Sequence, residues 1–148
     1  MIYFCLMNTK NRMQEGEAQG RKLLGNKWDK VIEALSSQNQ DITKYIVEWA
    51  YGEVYSRPAL TMAQREIISL TSLAMLGLKP QLKTHLFAAV NAGLSEEEIM
   101  EIFIQLALFA GFPIALFAIK TAREVFDEIR QNNPSDPGTG VKTNTQNP

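Results

Sequence analysis

The chain has 148 residues, of which 45% are hydrophobic and 21% charged, and its formal net charge is -1. Those proportions fit one globular domain with a hydrophobic core of its own, and they argue against nucleic acid or an anionic membrane as a partner, because the Lys and Arg residues form no basic run. The single cysteine, Cys5, excludes an intrachain disulfide, a CxxC redox pair and a thiolate-rich zinc site, and it fits a reducing, cytoplasmic compartment.

The segment Met1 to Met7 is too short and wrongly flanked for a secretory signal, and Met7 and Met13 are further candidate starts. Residues 1–14 are therefore expected to form an N-terminal extension ahead of a domain spanning 15–131. Gly16 and Gly20 flank a short charged piece. Asn26 suits the N-cap of a first helix from Lys27 to about Leu35, with Trp28, Val31, Ile32 and Leu35 inward at helical spacing. Ser36 to Gln40 reads as a polar loop. Asp41 can cap a second helix that turns Ile42, Tyr45, Ile46, Trp49 and Ala50 to one face and ends near Tyr55. Pro58 disfavours helical geometry at Arg57, so Ser56 to Leu60 should turn.

Thr61 and Gln64 match a capping box for a third helix, running through Ile67, Leu70 and Leu73 to a stop at Gly77. Pro80 suits the first turn of a fourth, which carries Leu82, His85, Leu86 and Ala89 to Gly93. Ser95 and Glu98 form a second box, opening a fifth helix with Ile99, Ile102, Phe103, Leu106 and Phe109. Pro113 begins a sixth that reaches about Ile129. Gly111 and Pro113 divide the apolar run Ile102 to Ile119 into two pieces, each too short for a bilayer core of about 30 Å. Two such helices imply burial against other subunits. Residues 132–148, rich in Asn, Pro, Gly, Thr and Ser, are expected to be a disordered tail. No stretch alternates as a strand does, so the fold class is all-α, a compact bundle of about six helices.

Chemistry concentrates between Trp49 and His85. Arg57, Arg65, Glu53, Glu66, Tyr51, Tyr55 and the only histidine fall in this span. His85 on a half-apolar helix is compatible with packing or with catalysis. Neither HxxxH nor HExxH occurs, so no metal site is read, and no nucleophile elbow, phosphate loop or dinucleotide fingerprint is present. Arg57 and Arg65 either pair with Glu53 or Glu66 or offer their forks to an anion. Two phenols beside them favour a small carboxylate ligand.

Gly20-Arg21-Lys22-Leu23-Leu24-Gly25, Ala50-Tyr51-Gly52-Glu53-Val54-Tyr55-Ser56-Arg57-Pro58-Ala59-Leu60, the spacing of Arg65 and His85, Asn91-Ala92-Gly93-Leu94-Ser95-Glu96-Glu97-Glu98-Ile99 and Phe109-Ala110-Gly111-Phe112-Pro113-Ile114-Ala115 follow one another in order. In these the chain resembles the carboxymuconolactone decarboxylase family, over about Gly16 to Ile129. The resemblance implies an alkylhydroperoxidase D-like helical fold, assembled as a trimer or hexamer of one chain. It also implies cofactor-free loss of carbon dioxide from 4-carboxymuconolactone or a related small unsaturated lactone acid in aromatic degradation. His85 would act as proton donor or oxyanion stabiliser, oriented by Glu66. Arg57, Arg65, Tyr51, Tyr55 and Glu53 would bind substrate.

In the sister branch of dithiol peroxidases, Glu66 and His85 match the Glu and His positions, but Leu78 and Gln81 stand where the cysteines belong. Thiol peroxide reduction is excluded on that ground. This chain departs from the decarboxylase pattern at Glu66, where that branch has Ser, and at Tyr51 and Tyr55, where it has tryptophans. The alternative is a paralogue of the same fold that acts on, or merely binds, another small carboxylate.

Overall fold

A computed structural model describes residues 9–132, and among these every regular element is helical. Helix α1 (Thr9–Leu24) leads through a 3-10 turn (Gly25–Lys27) into α2 (Trp28–Gln38). Helix α3 (Gln40–Tyr45) runs on without a break into a π-helix (Ile46–Val54). After a turn come α4 (Met62–Met75), α5 (Lys79–Asn91), α6 (Glu96–Ala110) and α7 (Phe112–Asn132). The six expected helices are present, α3 and the π-helix together making the second, and α1 is an addition to them. The expected extension over 1–14 overlaps α1 from Thr9 onward. Residues 1–8 and, apart from Asn132, the expected tail lie outside the described residues.

Helix ends follow local chemistry. The Thr61 hydroxyl accepts from the Gln64 amide at 3.2 Å while the Gln64 side chain accepts from the Thr61 amide at 2.9 Å. Ser95 and Glu98 make the same reciprocal pair. At the junction of α6 and α7, Gly111 adopts φ 81°, a conformation that glycine reaches without steric cost. Two caps differ from expectation. Asn26 caps nothing, because the chain passes through the 3-10 turn and α2 starts with no side-chain cap bond. Asn39, not Asp41, caps α3, its Oδ1 accepting from the Ile42 amide at 2.9 Å.

The second expected helix is rotated from the expected face, of which only Ile46 and Ala50 pack, half-buried, against the core. Thr43, Val47 and Tyr51 are buried, whereas Ile42, Tyr45 and Trp49 are 53%, 61% and 63% exposed. The cause is α1, which packs closely along the π-helix. A Cβ on Gly16 would overlap the carbonyl of Val47, and one on Gly52 would overlap the carbonyl of Arg12. Two glycines thus let the backbones touch, and the face they define becomes the interior. Phe109, expected inside, is 79% exposed near Leu108 and Phe112.

Two apolar clusters result. Leu70, Leu82, Leu86, Ile99, Phe103, Val125 and Phe126 form the larger one between α4, α5, α6 and α7. Leu23, Leu24, Trp28, Val47, Tyr51 and Ala88 form the smaller one, where the indole of Trp28 lies against Gly20 and donates to Glu17 at 2.8 Å. Burying each such aromatic or branched side chain contributes about 1.5–3 kcal/mol. Helix α5 is the wall shared by both clusters: Leu82, Leu86 and Ala89 face one and Ala88 the other. Lys79 and Lys83 also tie it to Glu124 and Glu128 of α7 at 2.9–3.0 Å.

Candidate functional site

The capping box at Thr61 fixes where α4 begins, and so where its first two turns deliver Arg65 and Glu66. Glu66 has no exposed surface. A buried carboxylate needs donors to replace lost water, and two distant segments supply them. His85 Nδ1, from the middle of α5, lies 2.9 Å from Glu66 Oε2. The Tyr55 hydroxyl, just beyond the π-helix, donates to Glu66 Oε1 at 3.1 Å. It also lies 3.1 Å from the hydroxyl of Ser69, which in turn donates to the carbonyl of Arg65 at 3.1 Å.

The phenols belong to one aromatic stack. Tyr51 and Tyr55 are stacked with ring centroids 5.3 Å apart, and the edge of Trp28 meets Tyr51 at 4.9 Å. The backbone amide of Tyr55 donates to Ala50, five residues back, and this wider turn holds both rings on the inner side. Burial, reinforced by the negative charge of Glu66, pushes the Tyr51 phenol up to about 12. The same two causes raise Tyr55 further, with the Ser69 hydrogen bond working the other way. Both phenols therefore keep their protons at neutral pH, and that of Tyr55 is given to Glu66.

The other expected site residues are placed as follows. Arg65 donates through Nη2 to the carbonyl of Arg57 at 2.6 Å and passes 6.0 Å from the Tyr55 ring centre. Its Nε is buried without a partner. Arg57 is exposed in the turn, and among the described residues neither arginine makes an ion pair. Glu53 pairs instead with Arg12 of α1 at 3.2 Å. The structure thus brings together His85, Glu66, Tyr55 and Tyr51 and sets Arg65 at their edge. Arg57 adjoins through its backbone, and Glu53 turns toward α1.

The imidazole is a quarter exposed, and with Nδ1 directed at Glu66 its other nitrogen is the one available to a ligand. Gln81 precedes it by four residues and shares its side of α5, and Leu78 stands just before the first residue of that helix. Surface grooves of about 250 and 740 Å³ lie elsewhere, and neither is lined by His85 or Glu66. Among the described residues, no group of three His, Cys, Asp or Glu side chains could hold a metal ion. No helix of the described residues is long and apolar enough to cross a membrane.

Ser69 was missed in the sequence. Its only signal was a position three residues after Glu66 on the same helix, which places both on one side of α4.

The arrangement can hold one imidazole in a fixed orientation beside a dry carboxylate, with a guanidinium close by. Comparison with known proteins adds to this geometry. The family model described as Carboxymuconolactone decarboxylase family matches residues 40–124. A 4-carboxymuconolactone decarboxylase of Acinetobacter baylyi is 34% identical over 124 residues, 83% of this chain and 92% of that protein. The nitrosuccinic acid decarboxylase npaB of Metarhizium robertsii is 30% identical over 95 residues, 62% of this chain and 66% of that protein.

Proposed function

This chain belongs to the carboxymuconolactone decarboxylase family, and from that premise we propose that this carboxy-lyase acts on 4-carboxymuconolactone or a related small unsaturated lactone acid formed in aromatic degradation. It does so without a cofactor. The observation that carries the reading is the 2.9 Å contact between His85 and the wholly buried Glu66.

In the reaction the bond from ring carbon to carboxylate breaks and carbon dioxide leaves. The electron pair spreads through the ring alkene onto the lactone carbonyl, and one proton returns to carbon, giving an enol-lactone. In this reading His85 supplies that proton from Nε2 or stabilises the oxyanion, while Glu66 holds Nδ1. A donor to the oxyanion is worth about 3 kcal/mol and a positioned proton donor about a hundredfold in rate. Arg65 and Arg57 hold a substrate carboxylate, as forks suited to that geometry. Tyr51 and Tyr55 wall the pocket, and Glu53 reaches substrate only when its pair with Arg12 opens.

We further propose a homo-oligomer, a trimer or hexamer, in the cytoplasm. Leu108, Phe109 and Phe112 are each at least 76% exposed at the turn between α6 and α7, a density of apolar surface that monomers seldom leave uncovered.

The test is a spectrophotometric assay on 4-carboxymuconolactone, following loss of the conjugated chromophore. Activity that falls about a hundredfold in His85→Ala supports the assignment, and unchanged turnover removes His85 from the chemistry. Arg65→Ala and Arg57→Ala should chiefly raise KM for the dianionic substrate. Unaltered saturation in both excludes them from the site.

A further inference from the structure

Glu66 is bonded at both oxygens, and the two bonds do different things. Oε2 meets His85 Nδ1, and Oε1 meets a hydroxyl that belongs to neither helix of that pair. Tyr55 has one proton to give. A carboxylate accepts more strongly than a neutral hydroxyl, so the proton goes to Oε1, and the Ser69 hydroxyl, 3.1 Å from the Tyr55 oxygen, contacts it from the other side. With the phenol proton on Glu66, the single Ser69 proton is shared between the Tyr55 oxygen and the carbonyl of Arg65 one turn back on α4, each 3.1 Å away. The stack of Tyr51 on Tyr55 fixes the phenol ring. Phenol and imidazole thus donate to the one carboxylate from two sides, each to its own oxygen.

We propose that Tyr55 and Ser69 are positioning residues: by occupying Glu66 Oε1 they leave Oε2 to keep the proton of His85 Nδ1, so that the ring gains and loses protons through Nε2 alone. This rests on the role given to His85 above. In the step itself the doubly protonated ring gives its Nε2 proton to the substrate carbon and becomes neutral with Nδ1–H retained. Solvent returns the proton to Nε2 afterwards. Tyr55 and Glu66 do not change protonation. Without the phenol hydroxyl, Oε1 is left in dry surroundings with no donor, and the carboxylate gains freedom to turn. The ring nitrogen facing it is then no longer held to one tautomer.

The protein contains one histidine, so a nitrogen-15 spectrum of the labelled imidazole reports this site alone. With the ring neutral, the unaltered protein should show Nδ1 protonated and Nε2 bare. Tyr55→Phe should shift the population toward the other tautomer by at least about twofold, and Ser69→Ala should do so less. Ser69→Thr, which keeps the hydroxyl, should restore the original pattern. On 4-carboxymuconolactone both hydroxyl deletions should lower kcat, Tyr55→Phe by roughly tenfold, and leave KM nearly unchanged.

A tautomer that is unaltered in Tyr55→Phe overturns the proposal. So does a raised KM with unchanged kcat, which would make Tyr55 only a wall of the pocket. If the unaltered protein fails to turn over this substrate while the tautomer still shifts, the positioning chain stands and the substrate assignment falls.

Discussion

Gly52→Ala separates the packing described for α1 from ordinary helix propensity, because the two make opposite predictions. At an open helical position, replacing glycine by alanine stabilises by about 0.5–1 kcal/mol, since the unfolded chain loses freedom. Here the added Cβ would overlap the backbone carbonyl of Arg12, an atom with no rotamer to move out of the way. Relief requires α1 to lift from the π-helix, loosening the contacts of Leu23, Leu24, Val47 and Tyr51. Overpacking of this kind costs about 1–3 kcal/mol. The net effect should be a loss of about 1–2 kcal/mol, or a Tm roughly 3–6 °C lower for a chain of this size. Thermal melts followed by far-ultraviolet circular dichroism measure it. Gly16→Ala should behave alike, since its Cβ would meet the carbonyl of Val47. A Tm that rises in Gly52→Ala refutes the close crossing and with it the account of why Thr43, Val47 and Tyr51 face inward.

Thr61→Ala removes the cap that starts α4 and should cost about 1 kcal/mol in urea denaturation, with Thr61→Ser close to the unaltered protein. Alkaline stability should fall in a defined window. Tyr51 is raised from 10.0 to about 12, so between those values the unfolded chain has released a proton that the folded chain keeps. The contribution is complete below pH 10 and disappears toward pH 12, at about 1.4 kcal/mol per pH unit. Relative to Tyr51→Phe, the unaltered protein should lose about 2–3 kcal/mol over that range, and parallel urea midpoints would contradict this. Phe109→Glu should dissociate the proposed assembly in light scattering coupled to gel filtration while leaving the helical content intact. An unchanged mass shows that the α6–α7 turn is not the interface.

The starts of α4 and α6 and the break between α6 and α7 were readable, because Thr61 with Gln64, Ser95 with Glu98 and Gly111 act within a few residues of themselves. Which face points inward was not. The stripe Ile42, Tyr45, Ile46, Trp49 and Ala50 is the more apolar one by periodicity, but the most deeply buried face, Thr43, Val47 and Tyr51, is set by α1, a segment that reads as polar and glycine-broken. Its glycines look like helix breakers in a linear sequence and prove to be contact points in space. The site divides in the same way. His85 and Glu66 could be paired through the resemblance, and the structure sets them 2.9 Å apart. The bond from Arg12 to Glu53 spans 41 residues and depends on α1 being present, so nothing near Glu53 announces it. The three departures from the decarboxylase pattern, Tyr51, Tyr55 and Glu66, turn out to be one connected cluster, a relation that no spacing along the chain reveals.

The two tryptophans sit in opposite surroundings. Trp28 is wholly enclosed with its indole nitrogen bonded to Glu17, and Trp49 stands open on the outer stripe of α3 and the π-helix. Indole emission therefore divides into an inner signal that tracks the seating of α1 and an outer one that responds to whatever settles on that stripe. A Trp49→Phe variant isolates the first, and subtraction from the unaltered protein yields the second. Unfolding and any association through that stripe could then be followed as separate spectral events in one cuvette.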